Sequence, residues 1–153
     1  MTALDQPNTR IALMSEEALA KVQAVQDALM QMEQATIPVQ HVLHGGMYAR
    51  TVRIPAGVAI AGAFVRVPTI LVINGKVSAY ANDQMIQISG YQVIVASAGR
   101  KQIFIAQEDT DLTMLFATTA TTVEEAEQEF TSEAHMLASR GHEGINTTII
   151  TGE

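Results

Sequence analysis

IPAGVAIAGAFVRVPTILVINGK, Ile54 to Lys76, is the stretch whose reading decides the fold. It is apolar and rich in β-branched residues. Its punctuation, Pro55-Ala56-Gly57 and Asn74-Gly75, turns an extended chain and does not continue a helix. The same texture extends outward on both sides. Val39 to Leu43, Met47 to Ile54, Val58 to Arg66, Thr69 to Ile73, Lys76 to Ala81, Met85 to Ile88, Tyr91 to Ala96, Gln102 to Ala106 and Leu112 to Thr118 read as strands. Between them lie Gly45-Gly46, Asn82-Asp83, Ser89-Gly90 and Ala98-Gly99, all turn chemistry. Asn74-Gly75, between Ile73 and Lys76, is expected to form a type I′ hairpin, because both residues tolerate positive φ. About nine short strands with no helix among them predict a sandwich or barrel, not a parallel α/β sheet.

The flanks are helical. Ser15 is placed to N-cap a helix whose first turn carries Glu16 and Glu17, acids that the helix dipole favours there. Ala18, Val22, Val25, Leu29 and Met32 then recur at heptad spacing, either as a face packed on the chain's own barrel or as a seam for a second copy. Pro38 closes the helical region. Near the other end, Thr122 and Glu125 form a capping box. Val123, Ala126, Phe130, Ala134 and Leu137 continue an apolar face toward Gly141, with Glu124, Glu125, Glu127, Glu129 and Glu133 expected on the solvated side. Ile145 to Thr151 is expected as a last edge strand or as a tail that docks on a partner. The organisation read from this is one structural domain: residues 1–38 an arm and helix, 39–120 the β-barrel, and 121–153 a C-terminal helix and tail.

Composition narrows the function classes. The chain has 153 residues, 48% of them hydrophobic and 16% charged, which is the balance of a globular domain. Its formal net charge of −7 speaks against general nucleic-acid binding, which needs a basic face to neutralise phosphates. No uninterrupted apolar run reaches the roughly 18 residues of a membrane span, and Met1 to Asn8 lacks the pattern of a secretion signal. With no cysteine there is no thiolate nucleophile or thiolate metal site, in keeping with a cytoplasmic protein. No nucleophile elbow, phosphate loop or dinucleotide fingerprint occurs.

Gly46-Met47-Tyr48-Ala49-Arg50, Ile54-Pro55-Ala56-Gly57, Gly62, Ser97-Ala98-Gly99-Arg100-Lys101 and Glu108-Asp109-Thr110, in this order and spacing, resemble a family of small cupin-like proteins encoded by phages and prophages. The likeness runs over most of Val39 to Phe130. It implies a mainly β fold, a double-stranded β-helix (cupin or jelly-roll) barrel with an N-terminal and a C-terminal helix, often dimeric. Cupins carry histidines after the Pro-x-Gly…Gly segment and again on a late strand, and these converge on a metal. Here the first region reads Gly62-Ala63-Phe64-Val65-Arg66-Val67-Pro68-Thr69, and the late strand Thr113-Met114-Leu115-Phe116-Ala117-Thr118. Neither contains a histidine or carboxylate, so the usual metal site and any cofactor are expected to be missing.

The remaining polar candidates are few. His41 and His44 face opposite sides of a strand unless Gly45-Gly46 bends them together on a shared metal, and are otherwise hydrogen-bonded or solvated. His135 and His142 are expected on the surface. Tyr48, Arg50, Val52 and Ile54 share one strand face. If that face is inward, Arg50 needs a carboxylate, and Glu108 or Asp109 is the expected partner. Arg50 and Arg66, with Tyr48 and Glu108, form the candidate ligand-binding set for a small anion; the competing reading makes them structural ion pairs or rim charges. The leading expectation is a non-enzymatic homodimer or higher oligomer, acting in a phage or prophage setting in a bacterial host as an interaction or structural module. A barrel that binds an organic anion comes second, and a metal-dependent cupin enzyme third.

Overall fold

A computed structural model describes residues 10–81, 84–141 and 145–153. Nine strands form it: β1 (Arg10–Ile11), β2 (Val39–His44), β3 (Met47–Ile54), β4 (Ala59–Ala61), β5 (Thr69–Ala81), β6 (Gln84–Ala96), β7 (Ile103–Ala106), β8 (Thr110–Ala117) and β9 (Asn146–Ile150). The helices are α1 (Glu16–Leu29), α2 (Val123–Phe130) and α3 (Ala138–Gly141), with a 3-10 turn at Ala134–Met136. The main path runs β1-β6-β5-β8-β3-β2-β9, and β7 joins β5 to β4. This is the mainly β jelly-roll barrel with flanking helices that the resemblance implies. Among the described residues no helix is long and apolar enough to cross a membrane.

The expected hairpin at Asn74-Gly75 does not form. β5 runs straight through it, with Asn74 opposite Tyr91 and Gly75 opposite Gly90 on β6. What changes at Gly75 is the partner on the other edge. Ile70 to Asn74 pair with β8, whereas Val77 to Tyr80 pair with β7. Gly75 is therefore the corner at which one strand passes from one layer of the barrel to the other. A Cβ there would stand 2.7 Å from the Thr110 Cα and 2.8 Å from the Asp109 carbonyl oxygen, closer than any real Cβ contact. The corner is clasped by the turn before β8. Gln107 N donates to Lys76 O at 2.9 Å, and the buried Thr110 Oγ1 accepts from Lys76 N at 3.1 Å. The glycine serves close backbone approach, a use of glycine in strands distinct from turn formation. Ser89-Gly90 likewise lies within continuous β6. The two-residue hairpin with positive φ at both positions sits instead at Gly45 and Gly46, between His44 and Met47. Asn82-Asp83 lies outside the described residues.

The face of β3 shared by residues 48, 50, 52 and 54 points inward: Tyr48, Arg50 and Ile54 are buried and Val52 half-buried. With Leu71, Ile73, Val77, Ile94, Phe104, Leu112, Met114 and Phe116 they build the barrel core. A second cluster joins Met14, Ala18 and Val22 to Ile103, so α1 packs on the outside of β4 and β7. Ser15 caps α1, its Oγ accepting from Ala18 N at 3.1 Å. Only the first half of the heptad seam is covered in this way: Val25 and Met32 remain exposed, and Met32 lies beyond the helix end.

The C-terminal helix is shorter than the pattern suggests. Thr122 caps α2, but the helix stops at Phe130 and Thr131 is extended. Arg66 explains the stop. Its backbone N donates to Phe130 O at 2.9 Å, its Nε to Glu129 O at 3.2 Å and its Nη2 to Gln128 O. Three of the carbonyls orphaned at a helix C-terminus thus meet one cationic side chain and its peptide, which the dipole also favours. The chain then re-forms as the 3-10 turn and α3 and returns as β9, parallel to β2 from Val39–Asn146 to Leu43–Ile150.

Gly75→Ala should lower unfolding free energy by about 2–3 kcal/mol, the cost of overpacking against backbone that cannot yield. Adding Thr110→Ala should not rescue it, because the Thr110 Cα and the Asp109 carbonyl remain in the way. Urea denaturation of the single and double variants measures both; a rescued double variant would mean that the side chain, not the backbone, sets the corner.

Candidate functional site

The inward end of β3 carries a polar cluster closed over by the C-terminal segment. Arg50 is buried and donates through Nη1 to Glu127 Oε2 at 3.0 Å and to Ser139 Oγ at 3.0 Å. Glu127, 1% exposed, also accepts from Arg140 Nε at 2.6 Å and from Ser139 Oγ. The partner expected for Arg50 is thus corrected. Glu108 is exposed on the turn before β8, and Asp109 accepts from Ala56 N at 2.9 Å and lies 3.8 Å from Arg53. Glu127 itself was expected on the solvated side of α2. It turns inward because a buried guanidinium on β3 demands an acid and α2 crosses that face. Glu133, of the same expected face, accepts from Lys101 Nζ at 3.1 Å and from Phe64 N at 2.9 Å.

Beside this pair, His41 is buried between Tyr48 Oη at 2.7 Å and Asn146 Oδ1 at 2.9 Å. Asn146 donates its Nδ2 to Ser139 O at 2.8 Å, which turns its Oδ1 toward the imidazole. His41 Nε2–H therefore donates to Asn146, and its Nδ1 accepts from the Tyr48 hydroxyl. Tyr48 also stacks with Phe130 at 6.5 Å between centroids and meets Phe116 edge-on at 5.5 Å. His44 faces the other way and is exposed, its Nδ1 2.7 Å from Thr151 Oγ1, so the two histidines do not converge. His135 is exposed; His142 lies outside the described residues.

Electrostatics follow the burial. Desolvation lowers the His41 pKa from 6.5, against the raising effect of its bond to Asn146. Burial raises the Tyr48 hydroxyl to about 12. For Glu127, burial alone would raise the pKa, but the bonds from Ser139 and Arg140 and the Arg50 charge outweigh it and hold the carboxyl below its ordinary value.

Next to the cluster lies a cavity of about 180 Å³, walled by Val52, Ile60, Leu71, Phe104, Leu112 and Met114 and touched by Arg50, Arg100, Gln102 and Glu133. Of the sequence candidates, Arg50 reaches it. Arg66 is on the surface holding the end of α2, and Glu108 is on the β7–β8 turn. Arg100 and Gln102 were not singled out from sequence. Arg100 and Lys101 directly follow the Ala98-Gly99 turn, yet both are buried, at 2% and 3% exposure. A divalent metal does not fit this lining. Its one carboxylate, Glu133, is held by Lys101, the rest is aliphatic, aromatic, amide or cationic, and among the described residues no three His, Asp or Glu groups converge.

No protein-family model matches the chain, and no curated protein sequence does. Among solved structures it is similar to salicylate 1,2-dioxygenase from Pseudoaminobacter salicylatoxidans, 12% identical over 76% of this chain and 35% of that one, with a TM-score of 0.50. It is also similar to KdgF from Halomonas sp., at 20% identity over 59% and 87% of the two chains and a TM-score of 0.47. A cupin-2 domain containing protein from Shewanella frigidimarina matches at 11% identity over 61% and 91%, with a TM-score of 0.44. At these identities the likeness concerns the fold alone.

Glu127→Gln should cost about 3–5 kcal/mol, because it strands a buried guanidinium, and the pair Arg50→Met with Glu127→Leu should cost less than the single change. Denaturant titration of the three variants checks this.

The pH dependence has two acid-side steps. His41 and Glu127 both have folded pKa values below their unfolded ones, so each contribution is present above the unfolded pKa and is lost as pH falls through the folded one. Stability should begin to fall below pH 6.5 through His41 and fall further below 4.5 through Glu127. Replacing His41 with Gln should remove the first step and leave the second, read as unfolding free energy against pH.

Proposed function

We propose that this chain is a non-enzymatic, cupin-like interaction module that works as a homodimer, in the phage or prophage setting that its sequence resemblance implies and in the cytoplasm of the bacterial host. The observation that carries the dimer is an apolar face on β5 and β6. Ile70, Tyr91, Val93 and Val95 are 48%, 68%, 50% and 59% exposed. The strand register sets Ile70 beside Val95 and Val72 beside Val93, with Tyr91 beside Asn74 on the same face. Leu13, 65% exposed, extends the patch next to Gly99.

Contiguous exposed apolar surface of this kind marks an association site. A second copy is the occupant that fits best. None of these side chains is ionised although the chain carries −7 overall; the charged neighbour on the face is Arg10, which β1 sets beside Val95. Along its outer edge β6 pairs only with β1, at Val95 and Ala96, which leaves the remainder of that edge without a strand partner among the described residues. A two-fold axis beside β6 would pair this edge and patch with themselves, as an isologous interface requires.

Light scattering after size exclusion, over a dilution series at micromolar concentration, should return twice the chain mass. Val93→Glu with Val95→Glu should return the monomer mass with an unchanged far-ultraviolet circular dichroism spectrum. A monomeric wild-type protein, or a charged variant that stays dimeric, would sink this reading.

A further inference from the structure

Arg100 and Gln102 stand two residues apart on the extended segment entering β7, and with Phe104 they line the barrel cavity. The intervening Ile103 packs with Met14, Ala18 and Val22 on the other side. Arg100 donates to two neutral oxygens, Ser97 O at 2.7 Å and Thr69 Oγ1 at 2.6 Å. Among the described residues no carboxylate forms an ion pair with it. Burial pulls its pKa down to about 10, so it keeps its charge at neutral pH. The other cations nearby are matched, Arg50 by Glu127 and Lys101 by Glu133. Gln102, 4% exposed, has a buried Nε2 with no hydrogen-bond partner. A buried guanidinium without a counter-charge and a buried amide donor without an acceptor are both unfavourable by themselves. Here they occur together on one apolar cavity.

We infer that the cavity binds a small organic monocarboxylate, its oxygens taking the free Gln102 N–H and balancing the Arg100 charge, its apolar body lying among Leu71, Phe104, Leu112 and Met114. The size agrees: about 180 Å³ exceeds the roughly 150 Å³ that admits benzene. Apolar walls with a few converging donors are the usual make-up of a small-molecule site and favour a carboxylate with a hydrocarbon body over inorganic phosphate. Access is present. A cleft between α1, residues 32–37, β4 and residues 135–138 shares Gln26, Ile37, Ile60 and Met136 with the cavity. Gln26 Oε1, also without a partner, lies on this shared wall and offers an acceptor to a hydroxyl on the same ligand.

The test is methionine-methyl NMR, with the Met114 resonance as reporter, titrated with benzoate and isobutyrate to millimolar concentration and with benzamide and inorganic phosphate as controls. At least one of the two acids should shift Met114 saturably, and neither control should. Gln102→Leu should raise the melting temperature of the free protein and weaken acid binding about tenfold or more, the worth of a charge-assisted bond. That pairing of effects separates loss of the site from loss of the fold. Failure of both acids to shift Met114, binding of benzamide as tight as benzoate, or unchanged binding by Gln102→Leu would each overturn the proposal. The readout is the same in a monomer or a dimer, so it is independent of self-association.

Discussion

A guanidinium placed on the inward face of a barrel strand must find a counter-charge, and the layout of the C-terminal third follows from that requirement. Arg50 sits there because strand alternation puts residues 48, 50, 52 and 54 on one side of β3. Its acid, Glu127, comes from α2, 77 residues later in the chain. To reach it, α2 must cross the barrel face, stop at Phe130 against Arg66, and release the chain so that Ser139 and Arg140 return to the same carboxylate. Asn146 then extends the network to His41 and places β9 beside β2. Among the described residues no buried side-chain nitrogen or oxygen of this network lacks a hydrogen-bond partner, which is the condition under which a buried ionic network is tolerated.

The second constraint is geometric. A jelly roll needs strands that leave one layer and enter the other, and β5 does this at Gly75, with β8 on one side of the corner and β7 on the other. The Asp109–Thr110 backbone presses against the glycine at a distance that excludes a side chain. This corner also shapes the cavity, because it lets Leu71 on the first half of β5 and Phe104 on β7 face the same space.

Together these features describe a cupin-type barrel whose interior chemistry differs from that of a metal site. In the two regions where the resemblance implies ligand histidines, the chain has Phe64 to Thr69, whose Arg66 holds the end of α2, and a late strand whose Phe116 joins Tyr48 and Phe130 in an aromatic cluster. What remains inside is an apolar space with cationic and amide donors. Such a lining offers hydrogen-bond donors, and among the described residues it lacks the converging imidazole and carboxylate groups of a metal site.

The strand-rich stretch from Val39 to Thr118, the two N-caps at Ser15 and Thr122 and the shared face of Tyr48, Arg50, Val52 and Ile54 on β3 were legible in the sequence by itself. Each rests on local physics: side-chain alternation and side-chain capping. What only the tertiary structure decided was set by contacts between distant segments. Asn74-Gly75 has the chemistry of a hairpin, but a glycine required for close approach of residues 109 and 110 looks the same in a sequence as one required for a turn. Glu127 has the spacing of a solvated residue on an acidic helix, and nothing in that spacing reports that Arg50 lies beneath it. Arg100 and Gln102 read as turn and strand edge, because burial of a charge depends on what the rest of the chain stacks around it. Local pattern determined the elements; long-range closeness determined which charges are buried, which are paired, and where the cavity lies.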